Sequence, residues 1–245
     1  MIMSSWFGDM ARPIAMYCER TSVAWDAEPL NATSNVAFFI AAWAAWRLRQ
    51  RHPDAAFGGT IRALCIIIAV VGAGSLAFHT VATRWAEWAD VIPILIFIIV
   101  YCWLILTAFF RWPWWLKAPA TFLLFAATFY LEADQFEKLL WGGAMYLPTL
   151  VFLMAAGAGV WRCNARAGKA FYAAAGLFVL SFAARTLDKP MCGALPVGTH
   201  YFWHLFNVAV LFLLVRTVIL HAPASKEEAS GSWGADQTVL GAPGT

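Results

Sequence analysis

Along the chain, uncharged apolar runs alternate with short stretches that collect the charge. The runs fall at residues 31–46, 63–83, 91–110, 118–131, 139–160, 170–184 and 201–215. Each is too long and too uniformly apolar for a soluble-core strand. In hydrocarbon a backbone must satisfy its own hydrogen bonds, so the pattern predicts seven membrane-spanning helices. Residues 1–29 are polar and form an N-terminal segment. Residues 30–221 form an all-α, seven-transmembrane helix bundle. Residues 222–245 are rich in Ala, Gly, Ser and charge with little to bury, and are expected to be a disordered tail.

Composition agrees with lipid as the solvent. Hydrophobic residues make up 62% of the 245 and charged residues 13%, against about 25% charged in soluble domains, and the runs leave no room for a separate soluble domain. The net charge of +3 is scattered between runs and forms no basic stripe, which excludes a nucleic-acid surface. Asp9, Arg12, Glu19, Arg20 and Asp26 make the start too polar for a cleaved signal peptide. The first run is then the insertion signal.

Sorting Lys and Arg by loop puts eleven of the seventeen on one side, which by the positive-inside rule is cytoplasmic. The N-terminus is therefore expected outside and the C-terminus inside. Trp85, Trp88, Trp112, Trp114, Trp115 and Trp141 fall at run ends, where indole prefers to sit. Short loops point to a bacterial inner membrane with the N-terminus periplasmic and the C-terminus cytoplasmic; an endomembrane protein with a lumenal site obeys the same charge rule.

Against this background a few polar residues stand out, all in the outward half. They are Ser75 and His79 in the second run, Asp90 at the mouth of the third after a short turn at 84–89, and His200 with His204 at the mouth of the seventh. Ionisable groups at membrane depth are costly and mark functional sites by default. Ser75 and His79 are four apart, as are His200 and His204, so each pair lies on one helix face. Three neutral imidazoles leave a fourth tetrahedral position for water, the arrangement of a catalytic zinc site. Asp90 can then activate that water, and Ser75 can donate to a developing oxyanion. These are the parts of an amide hydrolase.

The same residues carry a resemblance. Cys18-Glu19 followed by Glu28-Pro29-Leu30-Asn31-Ala32-Thr33-Ser34-Asn35, then Gly74-Ser75-Leu76-Ala77-Phe78-His79 with Asp90 beyond, then His200-Tyr201-Phe202-Trp203-His204, together resemble the alkaline ceramidase family. That family is one of several seven-span hydrolases related to the adiponectin-type receptors. The resemblance implies Zn2+ held by His79, His200 and His204, Ser75 as oxyanion donor and Asp90 activating water. The reaction implied is hydrolysis of the amide of a ceramide-like membrane lipid to a sphingoid base and a free fatty acid.

Animal members of the family also bind Ca2+ through an acidic segment before the first span. Here Glu19 and Glu28 are present, with Asp26 as a further carboxylate. Met16-Tyr17 stands where the family has Asp-Trp, and Thr21 where it has Asn, so the oxygen set is short of the six to eight that calcium takes. As in the family, a cysteine, Cys192, follows Asp188 in the last outward loop, and the resemblance implies a disulfide from it to Cys18. Two readings outside hydrolysis stay open from sequence: a seven-helix lipid sensor with a structural zinc, and a transporter using His and Asp as proton relays.

Overall fold

Helix occupies most of the described part of each apolar run in the computed structural model, which describes residues 9–132, 140 and 143–223. The sequence expectations for Lys138, Trp141 and residues 224–245 lie outside the described residues. A short helix α1 (Pro29–Ser34) leads into α2 (Val36–Arg51). Then come α3 (Gly58–Val81), α4 (Arg84–Ala108), α5 (Trp114–Glu132), a single 3-10 turn (Ala144–Tyr146), α6 (Leu147–Trp161), α7 (Ala165–Met191) and α8 (His200–His221).

Local sequence sets the boundaries. Pro29 opens α1 at the first helical position, where a missing N–H costs nothing. Asn35, still right-handed helical at φ −68°, joins α1 to α2. α2 stops at His52, which precedes Pro53 and leaves the helical region at φ −126°. α7 starts under an N-cap, the Asn164 side chain accepting from the Ala167 N–H at 3.0 Å.

Among the described residues, five helical segments are long and apolar enough to cross a membrane: Gly58–Val81, Arg84–Ala108, Ala144–Trp161, Ala165–Met191 and His200–His221. The chain is a multi-pass membrane protein. α2 has only 16 residues, and α5 carries Trp114, Trp115, Lys117 and Pro119 in its first turns, which lowers its mean hydropathy. Ile66, Val70, Phe122, Leu123 and Val151 point outward and are well exposed, as lipid-facing side chains should be.

The helices pack in chain order, α3 on α4, α6 on α7 and α7 on α8, and α8 returns against α2 and α3 to close the bundle. The core inside is aliphatic and aromatic, with Phe38, Ile61, Leu64, Ile68, Ile105 and Phe171 fully buried. At one end the N-terminal segment folds over the α3–α4 turn. There the Ile14 N–H donates to the Ala82 carbonyl at 2.8 Å, and Tyr17 packs with Phe78 and Ala86.

Two boundaries correct the sequence reading. Residues 84–89 are the first turns of α4 and not a separate turn, so the α3–α4 connection is only Ala82–Thr83. Likewise α7 continues through Asp188 to Met191, so Asp188 is helical and the last outward loop begins at Cys192. Hydropathy marks where hydrocarbon ends, and both helices run on past that point.

Candidate metal centre

His79 comes from the last turn of α3, and His200 and His204 from the first two turns of α8. The structure brings the three together. Their ring centroids lie 4.7 to 5.2 Å apart, one ligand atom from each falls within 4.8 Å of the others, and each residue is at most 1% exposed. His79 bonds through Nδ1 to Glu28 Oε2 at 2.5 Å, and His204 through Nδ1 to Ser34 Oγ at 2.7 Å. Each of these rings therefore keeps Nε2 for the centre. His200 is fixed by stacking, its ring 3.5 Å from that of Tyr17 and nearly parallel to it.

His79 Nε2 and His200 Nδ1 are buried and meet no hydrogen-bond partner among the described residues, a situation that costs about 1–3 kcal/mol per group unless something satisfies it. Three clustered imidazoles, two of them with an unpaired nitrogen, fit a metal ion, with carboxylate and hydroxyl groups fixing the far side of two rings as outer partners usually do.

Ser75 and Asp90 reach the same end because α3 and α4 approach unusually closely. Pro93 has no N–H for the Ala89 carbonyl one turn back, so that oxygen faces α3. Gly74 meets it: a Cβ there would stand 1.9 Å from Ala89 O and 3.1 Å from the Asp90 N. The contact puts Ser75 beside Asp90. The Ser75 Oγ lies 3.5 Å from His204 Nε2, and the Asp90 carboxylate interacts with the Ser75 hydroxyl and with His79. Asp90 also lines a cavity of ≈ 640 Å³ that opens between α4, α7 and the N-terminal segment.

The acidic residues that the resemblance implies for calcium, Glu19, Glu28 and Asp26, sit in different surroundings. Glu19 spends both carboxylate oxygens on the N-terminus of α1, accepting from the Leu30 and Asn31 N–H groups at 2.7 and 2.8 Å. Glu28 is held by Arg20, Asn31 and His79. Asp26 is exposed. Burial by itself raises the pKa of Glu28, but the hydrogen bonds from His79, Asn31 and Arg20 outweigh it and hold the group below its ordinary range as a carboxylate. Burial pushes the Tyr17 hydroxyl well above its usual value, so the ring stacked on His200 stays neutral.

Cys18 and Cys192 form a disulfide, Cα to Cα 5.3 Å, that ties the N-terminal segment to the end of α7. Beside it Asp188, 1% exposed, accepts from the Cys18 N–H at 2.9 Å and caps α8 by accepting from Thr199 and His200 N–H at 2.7 and 3.0 Å. Gly198 leaves room for that cap: it has φ +67°, and a Cβ would stand 2.0 Å from the Asp188 Oδ1.

Sequence reasoning gave no supporting role to Tyr17, Arg20, Ser34 and Asp188, and read Glu28 only as a calcium ligand, without its contact to His79. Ser34 and Glu28 lie inside the first motif, which is the signal that could have found them. Arg20 reads as one more outward basic residue, and nothing in the chain announces that it is buried. No curated protein matches the chain. The family profile described as ceramidase matches residues 15–239, nearly the whole length, and with the buried histidine cluster in place within it, the chain belongs to the ceramidase family.

Proposed function

We propose that this protein is a zinc-dependent intramembrane amidase that hydrolyses the amide of ceramide-like lipids to a sphingoid base and a fatty acid. The observation that carries the reading is the triad of buried imidazoles, two of them with unpaired nitrogens, set beside Ser75 and Asp90. Three nitrogen donors with room for a fourth ligand suit zinc, and His79, His200 and His204 would hold it. Bound there, zinc would polarise the scissile carbonyl and bring a water's pKa to about 7.

The protein's own groups supply the remaining chemistry. Asp90 takes the proton of the attacking water and returns it to the leaving amine. The Ser75 hydroxyl, one turn from His79, donates to the carbonyl oxygen as negative charge develops on it. Two cavities adjoin one turn below Asp90, sharing Ile94, Tyr146 and Trp203. The lower one is apolar, walled by Phe97, Tyr101, Phe178 and Leu211, and suits an acyl chain; at ≈ 40 Å³ it is a slot that the chain must widen by parting α4 from α6 and α8. The upper one, with Arg12, Glu87, Arg185 and Lys189 on its walls, suits a polar headgroup.

The catalytic unit is the bundle of residues 30–221, α2 to α8 being its seven spans, with residues 1–29 outside and the C-terminus inside. Accessibility labelling at the two ends in sealed vesicles checks that orientation. Fatty-acid release from a panel of N-acyl lipids tests the activity. Release by wild type that vanishes in Asp90→Asn supports the reading; no release from any amide lipid by zinc-loaded protein sinks it.

A further inference from the structure

Arg20 is buried at the centre of an oxygen cluster. Its Nε donates to Glu28 Oε1, its Nη1 to the Ser22 and Ala24 carbonyls at 3.3 and 3.2 Å, and its Nη2 to the His79 carbonyl at 2.9 Å. The Arg20 and Glu28 side chains are 3% and 2% exposed. One carboxylate and three carbonyl oxygens around a single positive centre is the kind of environment a hard cation would seek. Here the cation is part of the chain.

The geometry links this cluster to the metal centre by two routes that both end on His79. Directly, the guanidinium holds the main-chain carbonyl of His79 in the last turn of α3, where helix carbonyls lack partners and favour positive charge. Indirectly, it holds Glu28, whose other oxygen holds His79 Nδ1 at 2.5 Å. A planar fork that binds several acceptors at fixed angles suits this task better than an ammonium.

We infer that Arg20 is a positioning residue for His79 and serves as a built-in cation, so that the site is set without calcium. The residues fit no calcium ion: Glu28 is neutralised by Arg20, Glu19 is spent on the N–H groups of α1, and Asp26 faces solvent. The inference rests on His79 being a metal ligand and adds how that ligand is aimed.

The test uses full-length purified protein, with metal affinity measured by competition against a chromophoric chelator and ligand geometry by the visible spectrum of the cobalt-substituted form. Wild type is expected to show the same zinc affinity, cobalt spectrum and melting temperature in calcium-free buffer and in roughly millimolar calcium, the range of weak calcium sites. Arg20→Gln is expected to lose about 10–100-fold in zinc affinity, as other outer partners of metal ligands do, and to shift the cobalt spectrum. Glu28→Gln should show the same loss, the double variant no more than either single one, and Arg20→Lys a partial recovery. A wild-type affinity or melting temperature that rises with calcium overturns the inference, and that arm needs no variant to fold. So does an Arg20→Gln protein with wild-type affinity and spectrum. Failure of wild type to bind any metal is a separate result that removes the metal centre itself.

Discussion

The two halves of the bundle are built on different principles. At the end that carries the histidines, buried polar side chains are concentrated, and several bond to residues far away in the chain. Glu28 reaches His79 across 51 positions, Ser34 reaches His204 across 170, and Asp188 reaches Cys18 across 170. Below, around Ile61, Leu64, Ile105 and Phe171, the core is apolar, crossed by the bond from the Tyr101 hydroxyl to the Leu214 carbonyl at 3.0 Å. Apolar packing tolerates change of shape if volume is kept. A closed polar network does not, because a lost partner leaves a buried group unsatisfied. Mutations of equal size should therefore act on different quantities in the two halves.

The largest effect is expected from Asp90→Asn, which keeps the shape and removes the proton acceptor. The turnover of amide lipid should fall about 10²–10⁴-fold while bound metal, read by elemental analysis, stays at the wild-type level. Loss of the metal along with activity would mean that Asp90 acts as a ligand instead. Ser75→Ala comes next, with about a 10²–10³-fold fall in turnover and an unchanged melting temperature. A fall in affinity for substrate with turnover intact would contradict its role at the oxyanion.

Gly74→Ala probes the approach of α3 to α4. Its added methyl collides with main-chain atoms of Ala89, which cannot swing aside as a side-chain tip can. The helices must separate, at about 1–3 kcal/mol of stability, and Ser75 should move away from Asp90 so that activity falls as well. Unfolding melts and turnover read on one sample check both halves of that statement. At the bottom of the scale, Ile105→Val in the apolar half should lower stability by about 0.5–1.5 kcal/mol and leave turnover untouched. A large activity loss there would erase the contrast between the halves.

What the chain itself discloses follows the same division. Helices in lipid are written as apolar runs, and the three histidines, Ser75 and Asp90 stand out because lipid makes polar residues conspicuous. Helix ends beyond the hydrocarbon are not written that way: Arg84 and Glu87 look like a turn but form the start of α4, joined by a 2.7 Å ion pair at i and i+3. Asp188 and Lys189 likewise read as loop while α7 runs through them. The supporting shell was hidden for another reason. Whether Glu28 meets calcium, Arg20 or His79 depends on how a polar segment folds back over the bundle, and spacing along the sequence holds no trace of that.

The central claim is that His79, His200 and His204 together hold one catalytic zinc. The most direct measurement is metal stoichiometry by elemental analysis of the purified, active protein and of the His204→Ala variant, with fatty-acid release assayed on the same samples. The account predicts close to one zinc per chain in the wild type, neither zinc nor release in the variant, and loss of both on chelation with return of both on adding zinc. Full amide hydrolysis by protein that carries no metal, or by the His204→Ala variant, would contradict it.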